Sequence, residues 1–147
     1  MKFRIVLFSL SVVLISAAAS ASDFGVHAGY YSGDLKQWAV GADAQWPIGP
    51  IAISPNIDYS RKSGVGWWFA SGDIDLRFAS GGGPAYWIGA GPTYGYVTYQ
   101  GEHDSEWGWD ANGGVAWSMG GIKPYVSARY IKIKDFRSTG AFVGLRF

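Results

Sequence analysis

The chain has 147 residues, and its formal net charge of +1 carries no basic signal for nucleic acid. It contains no cysteine, which excludes disulfides, thiol chemistry and cysteine-based metal sites. No nucleotide or cofactor motif stands out, so we expect neither a cofactor nor a nucleic-acid partner.

The first residues are predicted to form a secretory signal peptide, residues 1–21. Lys2 and Arg4 precede an apolar run over 5–15, and the small residues 19–21 supply a cleavage site. That run is too short for a membrane helix, which takes about 20 residues, and this disfavours the alternative of a retained anchor. Residues 22–147 then form one domain, the predicted outer-membrane barrel, with ten basic and 11 acidic residues.

Seven turn signals rich in Gly, Pro, Ser and Asp divide this domain into eight segments. The segments are 24–31, 35–47, 51–61, 67–79, 85–100, 107–119, 122–134 and 140–147. Most approach the roughly 9–11 residues of a tilted transmembrane strand. Aromatic and β-branched residues fill them, which favours strands.

Alternation of residue types with a period of two indicates which face of each strand points outward. In segment 107–119 aromatic and apolar residues occupy one face, while Gly108, Asp110 and Asn112 begin the other. The outward aromatics, expected at the lipid interfaces, are Trp38, Trp46, Trp68, Trp107, Trp109 and Trp117. Trp67 and Trp87 have the opposite parity and are predicted to fill the lumen. A soluble sandwich also alternates, but the many small inner residues favour an all-β fold: an eight-stranded antiparallel up-and-down transmembrane β-barrel.

The same parity places charged residues inside the barrel. The predicted lumen charge network consists of Asp43, Asp58, Asp73, Asp75, Arg77, Asp110, Arg129 and Arg146. An isolated buried charge is costly, so each inward Arg is expected to find carboxylates or ordered water. A bulge near Gly72 or Pro92 would reverse the faces.

An even number of strands places both termini on one side, which is predicted to be the periplasm. The connections 48–50, 80–84 and 120–121 are then periplasmic turns without charge. The connections near 32–36, 60–66, 100–106 and 132–139 are expected to be longer, charged outer loops. Their cations, expected near the phosphates of lipopolysaccharide, are Arg61, Lys62, Lys132, Lys134 and Arg137.

The alternating segment Gly140-Ala141-Phe142-Val143-Gly144-Leu145-Arg146-Phe147 resembles the last strand of the small bacterial outer-membrane β-barrels of the OmpA/OmpX type. The resemblance implies an assembly signal at Phe147, Leu145 and Val143, although a second aromatic residue is common where Leu145 stands. It further implies a porin-like envelope protein of the Gram-negative outer membrane, expected to be a monomer. The implied partners are outer-membrane lipid, lipopolysaccharide and the barrel-assembly machinery.

Two histidines raise the question of catalysis. Barrel enzymes of the lipid A deacylase type carry a His-x-Ser pair with an acidic partner on a lipid-facing strand, and His103-Asp104-Ser105 matches the pair. It is predicted to lie at a loop tip, which disfavours catalysis, whereas His27 is predicted to point inward. The acidic segment 102–106 suits a divalent cation, but a solvated loop is the favoured interpretation, so no metal site is predicted.

The sequence therefore favours a non-enzymatic barrel with a structural or surface-interaction role in the cell envelope and a lumen filled by side chains. An eight-stranded barrel has an interior only just wide enough for side chains. The alternatives are a secreted ligand-binding barrel of the lipocalin or avidin class and a lipid A-modifying barrel enzyme.

Overall fold

A computed structural model describes residues 23–79 and 81–147 of the chain. The predicted signal peptide, residues 1–21, lies outside these residues. The strands are β1 (Asp23–Gly33), β2 (Gln37–Ile48), β3 (Ile51–Lys62), β4 (Val65–Ala79), β5 (Ala85–Tyr99), β6 (Glu102–Ala116), β7 (Lys123–Ile133) and β8 (Phe136–Arg146). Among these residues no helix is long and apolar enough to cross a membrane.

The eight strands form a closed antiparallel barrel in sequence order, with β8 pairing back to β1. The predicted fold class is confirmed. Pairing between β3 and β4 continues without a shift past Gly72, and pairing between β4 and β5 keeps one register on both sides of Pro92. The bulge considered at these positions is not present, so the predicted faces hold along β4 and β5.

The connections differ from the expectation of long outer loops. At the end that we call the outer end, the strands are joined by residues 34–36, 63–64, 100–101 and 134–135. At the opposite, inner end, the connections 80–84 and 117–122 are longer. Both central residues of the turns at Ser63-Gly64 and Gln100-Gly101 have positive φ, as in the tight type I′ hairpin. These two-residue turns let β4, β5 and β6 continue where loops were predicted, so the prediction of longer outer loops was wrong.

Small residues on the inner face allow the strands to surround bulky polar side chains. A Cβ on Gly89 would lie 1.9 Å from Asp75 Oδ1, and one on Gly41 would lie 2.4 Å from His27 Nε2. Neither position tolerates a larger residue without displacing a buried polar group. The glycines therefore reserve the space in which the lumen side chains meet.

The outward face is apolar and largely exposed. Val40, Ile74, Ile88 and Val143 are between 57% and 63% exposed. A water-soluble monomer rarely presents so continuous an apolar surface. The outward positions of the described strands carry no charge between the aromatic residues of the two ends, and Arg61, Lys132 and Arg137 lie at the outer end.

Candidate functional site in the barrel lumen

Arg129 on β7 lies at the centre of the lumen and contacts two carboxylates from distant strands. Its Nη1 donates to Asp58 Oδ2 at 2.7 Å, and its Nε lies 3.2 Å from Asp110 Oδ2. Asp58 and Asp110 are both completely buried. The guanidinium therefore compensates two negative charges that have no access to solvent.

His27 on β1 connects this pair to a second one. Its Nε2 lies 2.6 Å from Asp58 Oδ1, and its Nδ1 lies 3.0 Å from the Tyr125 hydroxyl and 3.4 Å from Asp43 Oδ1. Tyr31 donates its hydroxyl to Asp58 at 2.6 Å. Asp58 thus has three partners, His27 and Tyr31 from β1 and Arg129 from β7.

Arg146 on β8 completes the second pair. Its Nε donates to Asp43 Oδ2 at 2.9 Å, while the Tyr125 hydroxyl donates to Asp43 Oδ1 at 2.6 Å. The Arg146 guanidinium carbon also lies 4.5 Å from the ring centroids of Trp87 and Tyr125. Such cation–π contacts are stronger when the charge is desolvated. We call His27, Asp43, Asp58, Asp110, Arg129 and Arg146 the central network.

Two of the predicted network members, Asp73 and Asp75, are buried and form no ion pair with a cation among the residues described. Asp73 Oδ2 accepts hydrogen bonds from the amides of Asn56 at 2.9 Å and Asn112 at 2.8 Å. Asp75 Oδ2 accepts from Ser54 at 2.5 Å and from Gln45. Neutral donors thus replace the ion pairs expected there.

Arg77 is the third departure from the prediction of paired charges. It points inward at the inner end, beside a cavity that Asp23 and Lys123 also line, and forms no ion pair with any described residue. Lys123 instead pairs with Asp23 at 2.5 Å. The partial exposure of Arg77 to solvent explains why it needs no carboxylate.

The centre of the lumen is nearly full. Its cavity has a volume of about 20 Å³, and its lining includes four members of the central network, His27, Asp43, Arg129 and Arg146. That volume holds about one water molecule. Toward the outer end Tyr31, Phe69, Ile131 and Phe142 form a buried apolar layer. Toward the inner end Trp87 packs with Tyr125 and Ala116, so side chains close the barrel at three successive levels.

Sequence reasoning missed several of the residues that complete the network. His27 was predicted to point inward but was not grouped with the charges, and Tyr31 and Tyr125 were not identified. The available signal was parity, since each shares its strand's inner face with a predicted member or a lumen glycine. Which of these residues meet depends on the register between strands, which parity does not reveal.

The acidic segment 102–106 is part of β6 and not a loop, so the predicted loop tip was wrong. Alternation along the strand directs Asp104 and Glu106 inward and His103 and Ser105 outward. The His103 ring lies 5.9 Å from the ring of Tyr96 on β5. In the described part of the chain, no group of three or more His, Asp or Glu side chains is arranged to hold a metal ion.

The predicted assembly residues lie on the outward face of β8. Val143 and Leu145 are 63% and 43% exposed, and Phe147 is 56% exposed. Phe147 exchanges backbone hydrogen bonds with Phe24 at 2.8 and 3.2 Å, which extends the closure between β8 and β1. The predicted interface aromatics also point outward, with Trp38, Trp107, Trp109 and Trp117 between 42% and 74% exposed.

Solved structures identify this architecture. The crystal structure of Neisserial surface protein A matches with a TM-score of 0.66 at 14% identity, covering 84% of this chain and 92% of that one. The chain has the fold of the eight-stranded outer-membrane barrels. Ail, the attachment invasion locus protein of Yersinia pestis, matches with a TM-score of 0.61 at 12% identity, covering 86% of this chain and 99% of that one.

One similar barrel is an enzyme. The outer-membrane enzyme PagL matches with a TM-score of 0.56 at 10% identity, covering 86% of this chain and 99% of that one. No family model and no curated protein matches this sequence. At these identities the likeness extends to the fold, and function must be argued from the site.

Proposed function

We propose that this chain is a resident of the Gram-negative outer membrane with a structural or surface-interaction role, and that it neither conducts solutes nor catalyses a reaction. The closed lumen is the observation that carries this proposal, because the central cavity of about 20 Å³ leaves no continuous aqueous path. The uncharged outward band between two sets of aromatic residues supports the location, since such belts settle at the two membrane interfaces.

The distribution of polarity argues against a secreted lipocalin-like or avidin-like barrel. Such a barrel requires an apolar lumen and a polar exterior. Here buried aspartates, Arg129 and Arg146 occupy the lumen, while large apolar side chains are exposed outside. In water this arrangement would expose the large apolar outer surface to solvent.

Two cations at the outer rim support the proposal that the barrel contacts lipopolysaccharide. Lys132 and Arg137 are paired neighbours on β7 and β8 and both point outward beyond Tyr130. Two adjacent cations at this level suit phosphate, to which they would donate charge-assisted hydrogen bonds. Replacing both with Gln should reduce the lipopolysaccharide that copurifies with the barrel, whereas replacing Arg77 at the inner end should not.

Location and orientation are tested with single cysteines, because the chain has none of its own. A membrane-impermeant maleimide should label Lys62→Cys and Arg137→Cys on intact cells but not Gly82→Cys. Envelope fractionation should place all three variants in the outer membrane, with heat-modifiable migration on a gel. Labelling of position 82 alone would invert the orientation, and a soluble periplasmic chain would overturn the location.

Assembly is proposed to depend on Phe147 and the outward residues before it, through the barrel-assembly machinery. Deleting Phe147 should reduce the outer-membrane level far more than it reduces export, whereas Phe147→Tyr keeps the aromatic ring and should assemble. Normal outer-membrane levels of the deletion variant would contradict this proposal.

The absence of catalysis is tested on lipid A. His103 and Ser105 share the outward face of β6, but His103 lies four residues beyond Trp107, or about 13 Å along the strand. No outward acidic side chain accompanies them on the described strands. Lipid A from cells that produce the protein should therefore have an unchanged mass, and a lost acyl chain that depends on Ser105 would establish the enzyme instead.

A further inference from the structure

A second cavity, which we call the outer cavity, opens at the outer end of the barrel and is separated from the central network by the apolar layer. Its volume is about 290 Å³, more than ten times that of the central cavity. Phe69 and Ile133 belong to the apolar layer's cluster and also line this cavity. Cavities in the mouths of β-barrels are common ligand sites.

One wall of the outer cavity is a stack of nearly parallel aromatic rings. The centroids of Trp67 and Phe136 are 5.2 Å apart at an interplanar angle of 19°, and those of Phe136 and Phe69 are 5.9 Å apart at 25°. Trp67 and Phe136 are only partly buried. Part of each ring is therefore accessible from the cavity, and the flat ring of a ligand would stack against it in an offset arrangement.

The strand next to this wall carries a glycine at the same level. Gly95 on β5 pairs with Phe69 on β4 and with Glu106 on β6. A Cβ added at Gly95 would lie 2.6 Å from Ile133 Cδ1 and 3.6 Å from Phe69 Cε1, so the glycine leaves room for these two apolar side chains. Both side chains line the outer cavity beside the stacked rings.

The charged rim determines which ligand fits. Three acidic residues, Asp104, Glu106 and Asp135, line the cavity with one cation, Lys134. Lys134 Nζ forms an exposed ion pair with Glu106. The rim thus carries an excess of two negative charges and favours a positively charged ligand.

We propose that the outer cavity binds a small organic cation that carries an aromatic ring. The ring stacks against Trp67 and Phe136, and the ammonium group contacts the Glu106 and Asp104 carboxylates, where it competes with Lys134. A cation over an aromatic face gains further from the ring quadrupole. The cavity belongs to the folded barrel itself and does not depend on the membrane in which the barrel lies. A failure to bind the ligand would therefore leave the proposed location standing, and the reverse also holds.

Three indoles of similar size and different charge test the proposal: tryptamine, indole-3-ethanol and indole-3-acetate. Binding is measured by isothermal titration to the folded barrel in lipid nanodiscs, which avoids a detergent that competes for the cavity. Tryptamine should bind at least about tenfold more tightly than indole-3-acetate, a difference of roughly 1.4 kcal/mol. Equal binding of the three indoles, or no binding of tryptamine, would overturn the proposal.

Two substitutions at the rim should change affinity in opposite directions. Glu106→Gln removes the contacted carboxylate and should weaken tryptamine binding, whereas Lys134→Gln removes its competitor and should strengthen binding. Glu102→Gln makes the same charge change on the same strand outside the cavity lining and should leave binding unchanged. If Glu102→Gln weakened binding as much as Glu106→Gln, the effect would be general surface charge, and the assigned contacts would be wrong.

Discussion

The middle of the lumen and the apolar layer next to it are both closed, but by opposite chemistry. In the middle, Asp58, Asp110 and Arg129 meet while buried, and their hydrogen bonds and ion pairs compensate the cost of removing charge from water. In the apolar layer, Phe69 and Ile131 fill the space by close packing. The polar region should therefore be sensitive to the loss of a partner, and the apolar layer to the loss of volume.

The largest effect is expected for Arg129→Leu. The change leaves Asp58 and Asp110 without their shared cation, and breaking a buried pair from one side costs about 3–5 kcal/mol. The free energy of unfolding, measured by urea titration in lipid bilayers, should fall by that amount. Arg137→Leu removes the same group from an exposed outward position and should change it little.

A combined variant separates charge from shape in the same region. Arg129→Met with Asp58→Asn and Asp110→Asn removes the charges on both sides of the contact. It should recover part of the stability lost in Arg129→Leu, because residues in one network do not act additively. If the combined variant lost the full sum of the individual effects, the ion pairs would not be the source of the sensitivity.

Ile131→Ala tests the apolar layer two residues along the same strand. Ile131 is completely buried, and truncation of such a side chain to Ala costs roughly 2–5 kcal/mol, against roughly 0.5–1.5 kcal/mol for Ile131→Val. The same titration should therefore rank the two variants by the volume removed. Equal effects of Val and Ala would show that this layer is not closely packed.

The smallest effect is expected for Lys134→Ala at the exposed rim. Its hydrogen bond with Glu106 raises the pKa of the Lys134 ammonium above its usual value, so the group is charged at neutral pH. Any contribution of the ion pair to the free energy of unfolding is present at neutral pH and is lost as pH rises through this raised pKa. Solvent screens an exposed pair, so the unfolding midpoint should not shift measurably. A large shift would mean that the rim supports the apolar layer.

Alternation predicted the face of each strand well, because a one-residue slip would direct the charged face toward lipid. Trp67 and Trp87 were placed inside and Trp68 outside from parity alone, and the structure has them so. The local pattern contains no information on which inward residues meet. His27 and Asp58 are 31 residues apart in sequence and come together because both pair with Gly41 of β2, which has no side chain to separate them.

The outer turns were mispredicted because the composition of the strand ends resembles that of loops. Charged and glycine-containing stretches such as 100–106 resemble loops in composition, but Gln100-Gly101 alone is enough to reverse the chain. The residues that follow then pair across β5 and β6 as far as Tyr99 and Glu102. This pairing positions Asp104 and Glu106 beside the outer cavity, a site that composition did not indicate.

The conductance of the folded barrel in a planar lipid bilayer tests the closed lumen most directly. With side chains closing the barrel at three levels and a central cavity of about 20 Å³, the protein should show no steady open channel at moderate voltage. A barrel of Ile131→Ala, with the apolar layer weakened but the central network intact, should also stay closed. Large, steady conductance steps from the unaltered protein would contradict this account.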